Sequence, residues 1–163
     1  MLTATLLAAS LLTSGETRLT PFASFSGANS QITTAKTMLI PNQVEWDQVW
    51  RKHKGWTDST KTAQKFDFKR FWIVGVTMGD ARLCRGYITS PAPYGVWDGA
   101  TKMTIRIKPN WRYTLEREEE KDPYIFLVIA RKPNKPIDIV IDDARENGEK
   151  PKWRLMTTLN KQS

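Results

Sequence analysis

The stretch Lys102-Met-Thr-Ile-Arg-Ile-Lys108 alternates polar and apolar side chains without interruption. Successive side chains of a β-strand point to opposite faces, so Met103, Ile105 and Ile107 are predicted to face a core and the cations to face solvent. Segments of similar character lie on both sides of it. They span residues 71–77, 83–89, 124–130, 137–141 and 153–159, with weaker candidates at 22–25 and 31–40. Strands therefore dominate the predicted fold.

Two segments between these strands are predicted to be irregular. Proline lacks the N–H donor of a strand ladder, so Pro91 and Pro93, followed by Gly95, are expected to end the strand at 83–89. Residues 116–122 carry a dense run of charges, which favours an exposed loop or a frayed helical turn.

A single helix is predicted from Gln43 to Lys54. Asn42 is a favourable N-cap, and Glu45 follows three positions later, as in a capping box. Gly55 suits the position just beyond the helix, where a left-handed backbone is common. The apolar face has the spacing i, i+3, i+4, i+7 and consists of Trp46, Val49, Trp50 and His53. We expect this face to pack inward onto the sheet.

Many strands with one early amphipathic helix place the chain in the α+β class, with a mainly antiparallel β-sheet that forms a sandwich or an open barrel. The 163 residues suffice for one domain with its own core. We assign residues 31–163 to this β-rich domain. Residues 16–30 are rich in Ser, Thr, Gly and Pro and are predicted to be a linker with at most one short strand.

The run from Leu2 to Leu12 is apolar, too short to span a bilayer as a helix, and long enough for the core of a signal peptide. Small residues suited to cleavage follow it, although the first basic residue, Arg18, comes after the run rather than before it. We predict a signal peptide over residues 1–15 and a secreted or periplasmic protein. The alternative is a buried N-terminal helix or strand.

The chain is basic, with 25 Lys and Arg against 17 Asp and Glu, a formal charge of +8. This balance favours contact with polyanions such as nucleic acid, anionic lipid headgroups or acidic cell-wall polymers. Cys84 is the only cysteine, so neither an internal disulfide nor a cysteine-based metal site can form. In a strand-like stretch it is expected to be a small buried side chain.

Four short motifs stand in order along the chain. They are Ile40-Pro-Asn-Gln-Val-Glu-Trp-Asp-Gln-Val-Trp50, Phe66-Asp-Phe68, Phe71-Trp-Ile-Val-Gly-Val76 and Arg85-Gly-Tyr-Ile88. Together they resemble the C-terminal domain of the PrcB-like family of bacterial protease-complex accessory subunits, and a later step, Pro123-Tyr-Ile125, is similar to the same pattern. Arg85 departs from it, since a second glycine is common there.

The resemblance covers roughly Met38 to Ala130. It implies an exported, non-catalytic domain that associates with other proteins, in some cases with a surface protease, and it implies no cofactor and no active site. The C-terminal segment 131–163 lies beyond what the pattern requires.

The sequence contains no recognisable catalytic or metal-binding motif. His53 is the only histidine and shares a helix face with tryptophans, which favours a packed side chain over a general base. Asp138, Asp142 and Asp143 lie close together, but the spacing and glycine of a calcium loop are missing, so we interpret them as a solvated turn. The acidic run at 116–120 has the composition of a solvated segment rather than of a glycosidase carboxylate. We predict no enzyme, no cofactor and no bound metal.

The predicted binding surface is a basic strand face with aromatic neighbours. Lys102, Arg106 and Lys108 point the same way on a regular strand, and Trp111 and Arg112 follow. Oligonucleotide-binding barrels hold single-stranded nucleic acid with cations and aromatic rings in this way. The alternative is an ordinary solvent face whose Lys and Arg keep a sheet edge soluble.

Trp56 and Trp97 stand beside glycine and polar residues in predicted loops, where an exposed indole is suited to anchor a partner. From these features we expect an exported, non-catalytic interaction domain whose partner is a protein of the cell envelope or the extracellular space. A basic module that binds nucleic acid or an envelope polymer is the alternative.

Overall fold

The computed structural model describes residues 15–79, 82–83, 86–112, 122–144 and 149–160, with the backbone alone for 82–83, 86–94 and 110–112. The predictions for Cys84 and for residues 1–14 and 116–121 concern parts of the chain outside these ranges. The elements are β1 (Thr17–Leu19), β2 (Ala23–Gly27), β3 (Ala35–Ile40), α1 (Gln43–Lys54), β4 (Phe71–Met78), β5 (Arg82–Leu83), β6 (Gly86–Asp98), β7 (Met103–Arg112), β8 (Tyr124–Ala130), β9 (Ile137–Asp142) and β10 (Trp153–Leu159).

The strands form two sheets packed face to face. Sheet A has the order β1-β6-β7-β9-β10, with β5 also paired to β6, and sheet B has the order β2-β8-β4-β3. Every strand pair is antiparallel except β7 and β9, which run parallel. The predicted α+β class with a mainly antiparallel sheet is confirmed, in its sandwich form.

The main core lies between the two sheets. Met103, Ile105 and Ile107 of β7 are fully buried, as their alternation predicts. They pack with inward side chains of β4 and β8, among them Val74 and Leu127. The central strands of sheet B, β4 and β8, carry continuous apolar runs because both of their faces are covered.

The helix α1 covers the second face of sheet B and makes a third layer. Trp46 is fully buried there, its ring centroid 5.2 Å from that of Phe126, and its Nε1 donates to the carbonyl of Gln64 at 3.0 Å. The inward packing predicted for the helix face is thus confirmed. Within the described ranges α1 is the only helix. Its 12 residues are too few and too polar to cross a membrane.

Residues 16–30, for which a linker was predicted, belong to the folded domain. Within them β1 pairs with β6 and β2 pairs with β8, so the segment adds an edge strand to each sheet. Thr17, Ser24 and Ser26 of these edge strands are exposed, whereas Ser30 is buried beside His53. Phe25 faces inward, with its ring 5.4 Å from that of Trp50.

The strand β6 continues through Pro91 and Pro93, so the predicted break there is wrong. Residues 88–95 pair with β7 on one edge, while within the described residues the other edge pairs only at its two ends, with β5 and β1. The register also shifts on both sides of the prolines. A missing N–H is tolerated at such an edge and at bulges. Trp97 therefore lies in a strand rather than in the predicted loop.

Candidate interaction surface

The outer face of sheet A results from the alternation that buries its inner face. Ile105 and Ile107 face the core, so Arg106 and Lys108 face outward, Arg106 half-buried and Lys108 exposed. Lys102, just before β7, is on the same side, with half of its side chain exposed. Lys102, Arg106 and Lys108 thus lie on the same side of β7, as its alternation predicts.

Three outward side chains form a row across the sheet. Arg106 of β7 lies opposite Val140 of β9, which lies opposite Leu155 of β10. Leu155 is 54% exposed, and only two other large apolar side chains of the described residues are as open. The row places an apolar surface directly beside a cation.

Arg106 also lies among aromatic rings. Its Cζ is 4.1 Å from the ring centroid of Trp97 and 5.8 Å from that of Trp153. The Cζ of Arg18, from β1, is 5.7 Å from the same Trp97 centroid. We call these four residues the cation–aromatic ladder. A cation over an indole contributes about 0.5–1 kcal/mol at a partly exposed site, so the ladder holds its side chains in defined orientations.

Carboxylates engage two of the cations in the predicted binding face. Arg106 Nη2 is 3.1 Å from Glu16 Oε2. Lys102 Nζ donates to Asp138 Oδ2 at 2.5 Å, and Thr158 Oγ1 donates to Asp138 Oδ1 at 2.7 Å. These two hydrogen bonds lower the pKa of Asp138, and Asp138 in turn raises the pKa of Lys102. Both groups stay charged at neutral pH, and much of the positive charge on this face is compensated.

The other predicted binding residues lie apart from the ladder or outside the described side chains. Trp111 and Arg112 continue β7, where the backbone alone is described. Trp56 follows α1 in the opposite layer. Its backbone N–H donates to the carbonyl of Arg51, and Lys61 Nζ lies 5.7 Å from the centroid of its ring. Trp56 is therefore not part of the surface that contains the ladder.

Sequence patterns do not single out Arg18, Trp153 or Leu155 as members of this surface. Trp153 and Leu155 are two residues apart in a predicted strand, and that spacing is a signal that they share a face. Their position beside Arg106 depends on strand order, which places β9 and β10 next to β7 and β1 at the far edge.

The aspartates predicted to form a solvated turn have structural roles instead. Asp138 and Asp142 are 8% and 2% exposed. Asp142 Oδ1 accepts from the N–H groups of Ala144 at 2.9 Å and Lys152 at 2.8 Å, which ties β9 to the start of β10. Within the described residues, no three His, Cys, Asp or Glu side chains come close enough together to hold a metal ion.

His53 is buried among the aromatic side chains below α1, with 1% of it exposed. Its ring centroid is 4.1 Å from that of Tyr124 and 5.4 Å from that of Phe126. Nδ1 lies 3.0 Å from Ser30 Oγ. Burial, with a smaller contribution from Lys54, lowers the pKa of His53 from 6.5 to about 4. The packed position predicted for His53 is confirmed, and the ring is neutral at pH 7.

Comparison of the chain with protein-family models, curated proteins and solved structures found no match. The resemblance to PrcB-like subunits thus stays a prediction, and the surface itself is the basis for a functional proposal.

Proposed function

We propose that this chain is an exported, non-catalytic interaction domain that binds a protein partner through the outer face of sheet A. The proposal is supported most by the position of Arg106 against the indoles of Trp97 and Trp153, beside exposed Leu155. The resemblance of residues 38–130 to accessory subunits points to the same class of function, and the apolar run at 2–12 favours export.

Tryptophan and arginine are enriched among the residues that carry most of the energy of protein interfaces. In the ladder these side chains already hold one another, so a partner that covers them causes little further loss of side-chain entropy. Val140 and Leu155 supply apolar area beside the ladder, and the ion pairs of Lys102 and Arg106 supply polar groups around it. An apolar centre with a polar rim is the usual anatomy of an interface.

A polyanion is a weaker candidate for this face. A phosphate would have to compete with Asp138 for Lys102 and with Glu16 for Arg106. Nucleic-acid binding draws much of its free energy from counterions released as cations neutralise phosphates. Cations that already contact carboxylates hold fewer phosphates and therefore release fewer counterions.

The titratable groups of the described residues support a non-catalytic role. General acid–base catalysis favours a pKa near the working pH. Burial lowers the pKa of His53 to about 4, and hydrogen bonds from lysines lower the pKa values of Asp98 and Asp138. Each of these shifts moves the pKa of the group further from neutral pH.

Site-specific photo-crosslinking tests the proposal. A photoreactive amino acid in place of Leu155 is irradiated in a cell-envelope fraction, with a matched probe in place of Gln48, which is exposed on α1 in the opposite layer. We expect a discrete protein adduct from position 155 that position 48 does not give.

The dependence of this adduct on the ladder separates a specific partner from accidental capture. Arg106→Ala in the probe-bearing chain should reduce its yield at least tenfold, as for a residue at the centre of an interface. Lys52→Ala, at an exposed position of α1 in the opposite layer, should leave the yield nearly unchanged. An adduct that persists in Arg106→Ala, or that forms equally from position 48, would refute the proposal. A crosslink to nucleic acid instead of protein would favour the polyanion alternative.

A further inference from the structure

Four chain segments meet at one end of sheet B. β3 ends at Ile40, opposite Ile73, and leads directly into α1. β4 begins at Phe71, opposite Ala130, where β8 ends. Phe22, just before β2, reaches the same end, and its N–H donates to the carbonyl of Val128 at 2.8 Å. Six exposed side chains of these segments and of the loop before β4 form what we call the basic end, beside the exposed carboxylates of Glu45 and Asp67: Phe22, Val44, Lys65, Lys69, Arg70 and Arg131.

Two large apolar side chains are exposed at the basic end. Phe22 is 65% exposed and Val44 is 66% exposed, and among the described residues only Leu155, in sheet A, is comparably open. The ring of Phe22 stacks on that of Phe71, with centroids 4.6 Å apart. This stacking holds the Phe22 ring in a defined position although most of its surface is exposed.

The cations of the basic end differ from those of sheet A in their partners. Lys65, Lys69, Arg70 and Arg131 are exposed, and no carboxylate of the described residues lies within ion-pair distance of them. The N–H of Arg131 donates to the carbonyl of Arg70 at 2.8 Å, which places the two arginines side by side in the backbone. Their charge is available to an external anion.

Two exposed carboxylates, Glu45 and Asp67, lie in the same segments and offset part of this charge, although neither forms an ion pair with the four cations. Glu45 accepts a hydrogen bond from the side chain of Asn42, and Asp67 accepts one from the backbone of Lys69. From the start of α1 to the start of β4, residues 43–70, there are seven Lys or Arg and four Asp or Glu, a formal charge of +3. The basic end therefore keeps a positive net charge.

We propose that the basic end binds the surface of an anionic lipid bilayer. Phe22 and Val44 enter the headgroup region, and the four cations contact lipid phosphates. Each cation near such a surface contributes roughly a fivefold increase in affinity. This inference uses none of the residues of sheet A and does not rest on the proposed function.

A bilayer fits these observations better than single-stranded nucleic acid does. The cations come from separate segments around protruding apolar side chains, and a fluid lipid surface requires no register between them. A nucleic-acid strand is held along a groove by rings with open faces, whereas Phe71 already covers one face of Phe22.

Co-sedimentation of the full chain with vesicles tests the inference. Vesicles of phosphatidylcholine alone are compared with vesicles that also contain phosphatidylglycerol. We expect binding to the anionic vesicles alone, and a steep loss of binding when the salt is raised, since the Debye length falls from about 10 Å at 0.1 M to about 3 Å at 1 M. Absence of binding to anionic vesicles at low salt would overturn the inference.

Paired substitutions locate the contact. Arg70→Gln with Arg131→Gln should weaken binding at least tenfold, and Phe22→Ser with Val44→Ser should weaken it further. Arg70→Gln alone, expected to cost about fivefold, covers the case in which the double variant is unstable. The matched controls Lys108→Gln and Leu155→Ser, in sheet A, should bind vesicles like the unchanged chain.

Three results would contradict the inference. Controls that lose as much binding as the test variants would move the contact to another surface. Test variants that bind like the unchanged chain would do the same. Binding of an oligothymidylate that depends on Arg70 and Arg131, without binding to vesicles, would make the basic end a nucleic-acid site. Because Leu155→Ser changes only the sheet A surface, failure here is distinguishable from failure of the proposed protein interface.

Discussion

His53 has a ring nitrogen, Nε2, that is buried without a hydrogen-bond partner in the described part of the chain. The rings of Trp50, Tyr124 and Phe126 surround the imidazole, and their centroids lie 4.1 to 5.4 Å from its centroid. The neighbouring charge, Lys54, is also positive. A proton on this ring would place an uncompensated charge in an apolar cluster, and the lowered pKa follows from that cost.

The free energy of unfolding should therefore fall as the pH drops from about 6.5 to about 4. The unfolded chain binds a proton at His53 with a pKa near 6.5 and the folded chain with one of about 4, so the stabilisation is complete above pH 6.5 and is lost between these values. The difference corresponds to about 3 kcal/mol. Urea denaturation midpoints from pH 4 to pH 7 measure it.

His53→Phe is the control for this pH dependence. The variant loses the hydrogen bond to Ser30, so it should be less stable at pH 7, but its midpoint should stay nearly level between pH 6.5 and pH 4. Hydrogen bonds from lysines lower the pKa values of Asp98 and Asp138, so these groups add acid sensitivity mainly below about pH 4, where the carboxyl groups of the unfolded chain become protonated. Parallel curves for the variant and the unchanged chain would show that another group carries the effect.

The residue environments were predictable only where they are local. The i, i+3, i+4, i+7 spacing places His53 on the buried face of α1, and this follows from the sequence alone. Its contacts with Ser30 and Tyr124 do not follow from it, because these residues come from segments that only the folded chain brings together.

At the scale of elements, α1 begins and ends at the predicted residues because short-range hydrogen bonds determine both ends. Asn42 Oδ1 accepts from the N–H of Glu45 at 2.9 Å, and Asn42 Nδ2 donates to Glu45 Oε1 at 2.7 Å. Gly55 takes a left-handed backbone with φ +63°, and its N–H donates to the carbonyl of Lys52 at 3.1 Å. Every partner lies within one helical turn, so the sequence contains the whole signal.

Asn42→Ala should lower the free energy of unfolding by about 1 kcal/mol, since it leaves the first turn of α1 without its side-chain acceptor. Gln48→Ala, at an exposed position in the middle of the same helix, should change it by only a few tenths of a kcal/mol. Urea denaturation of both variants makes the comparison. Equal losses would mean that the hydrogen bond at Asn42 does not stabilise the helix.

β6 shows why other elements were predicted less well. Pro91 and Pro93 end a strand only if a neighbouring strand would have to pair with the N–H groups that proline lacks. The local sequence does not show which strand lies beside them. The same holds for β1 and β2, whose polar sequences become strands because β6 and β8 offer paired edges.

At the scale of the whole molecule, the segment 131–163 is part of the core rather than an addition to it. β9 lies between β7 and β10, and its Ile137 and Ile139 are fully buried between the sheets. The cation–aromatic ladder likewise draws on four strands, β1, β6, β7 and β10. Strand order decides both arrangements. Periodicity therefore identified most strands and the outward face of β7, but neither β1 nor the members of the ladder from β1 and β10.

Ile139→Ala should therefore destabilise the entire domain by about 2–5 kcal/mol in a single unfolding transition. Val140→Ala, on the same strand with its side chain on the outer face, should cost much less. Thermal unfolding followed by tryptophan fluorescence and by circular dichroism compares the two. An unchanged midpoint of the main unfolding transition in Ile139→Ala would show that β9 does not contribute to the stability of the rest of the domain.

The parallel pairing of β7 with β9 has a consequence for synthesis. β8 separates them in the chain but belongs to sheet B, so β9 reaches β7 only after the polypeptide has crossed to the other layer and returned. During synthesis β7 leaves the ribosome before β9. The edge of β7 that later pairs with β9 is then unpaired, and its Ile105 and Ile107 are still exposed. Pairing between strands distant in sequence is slow, and open edges of this kind associate with other nascent chains. Rapid expression at high temperature should therefore yield aggregates, and slower synthesis or added chaperones should restore the soluble yield.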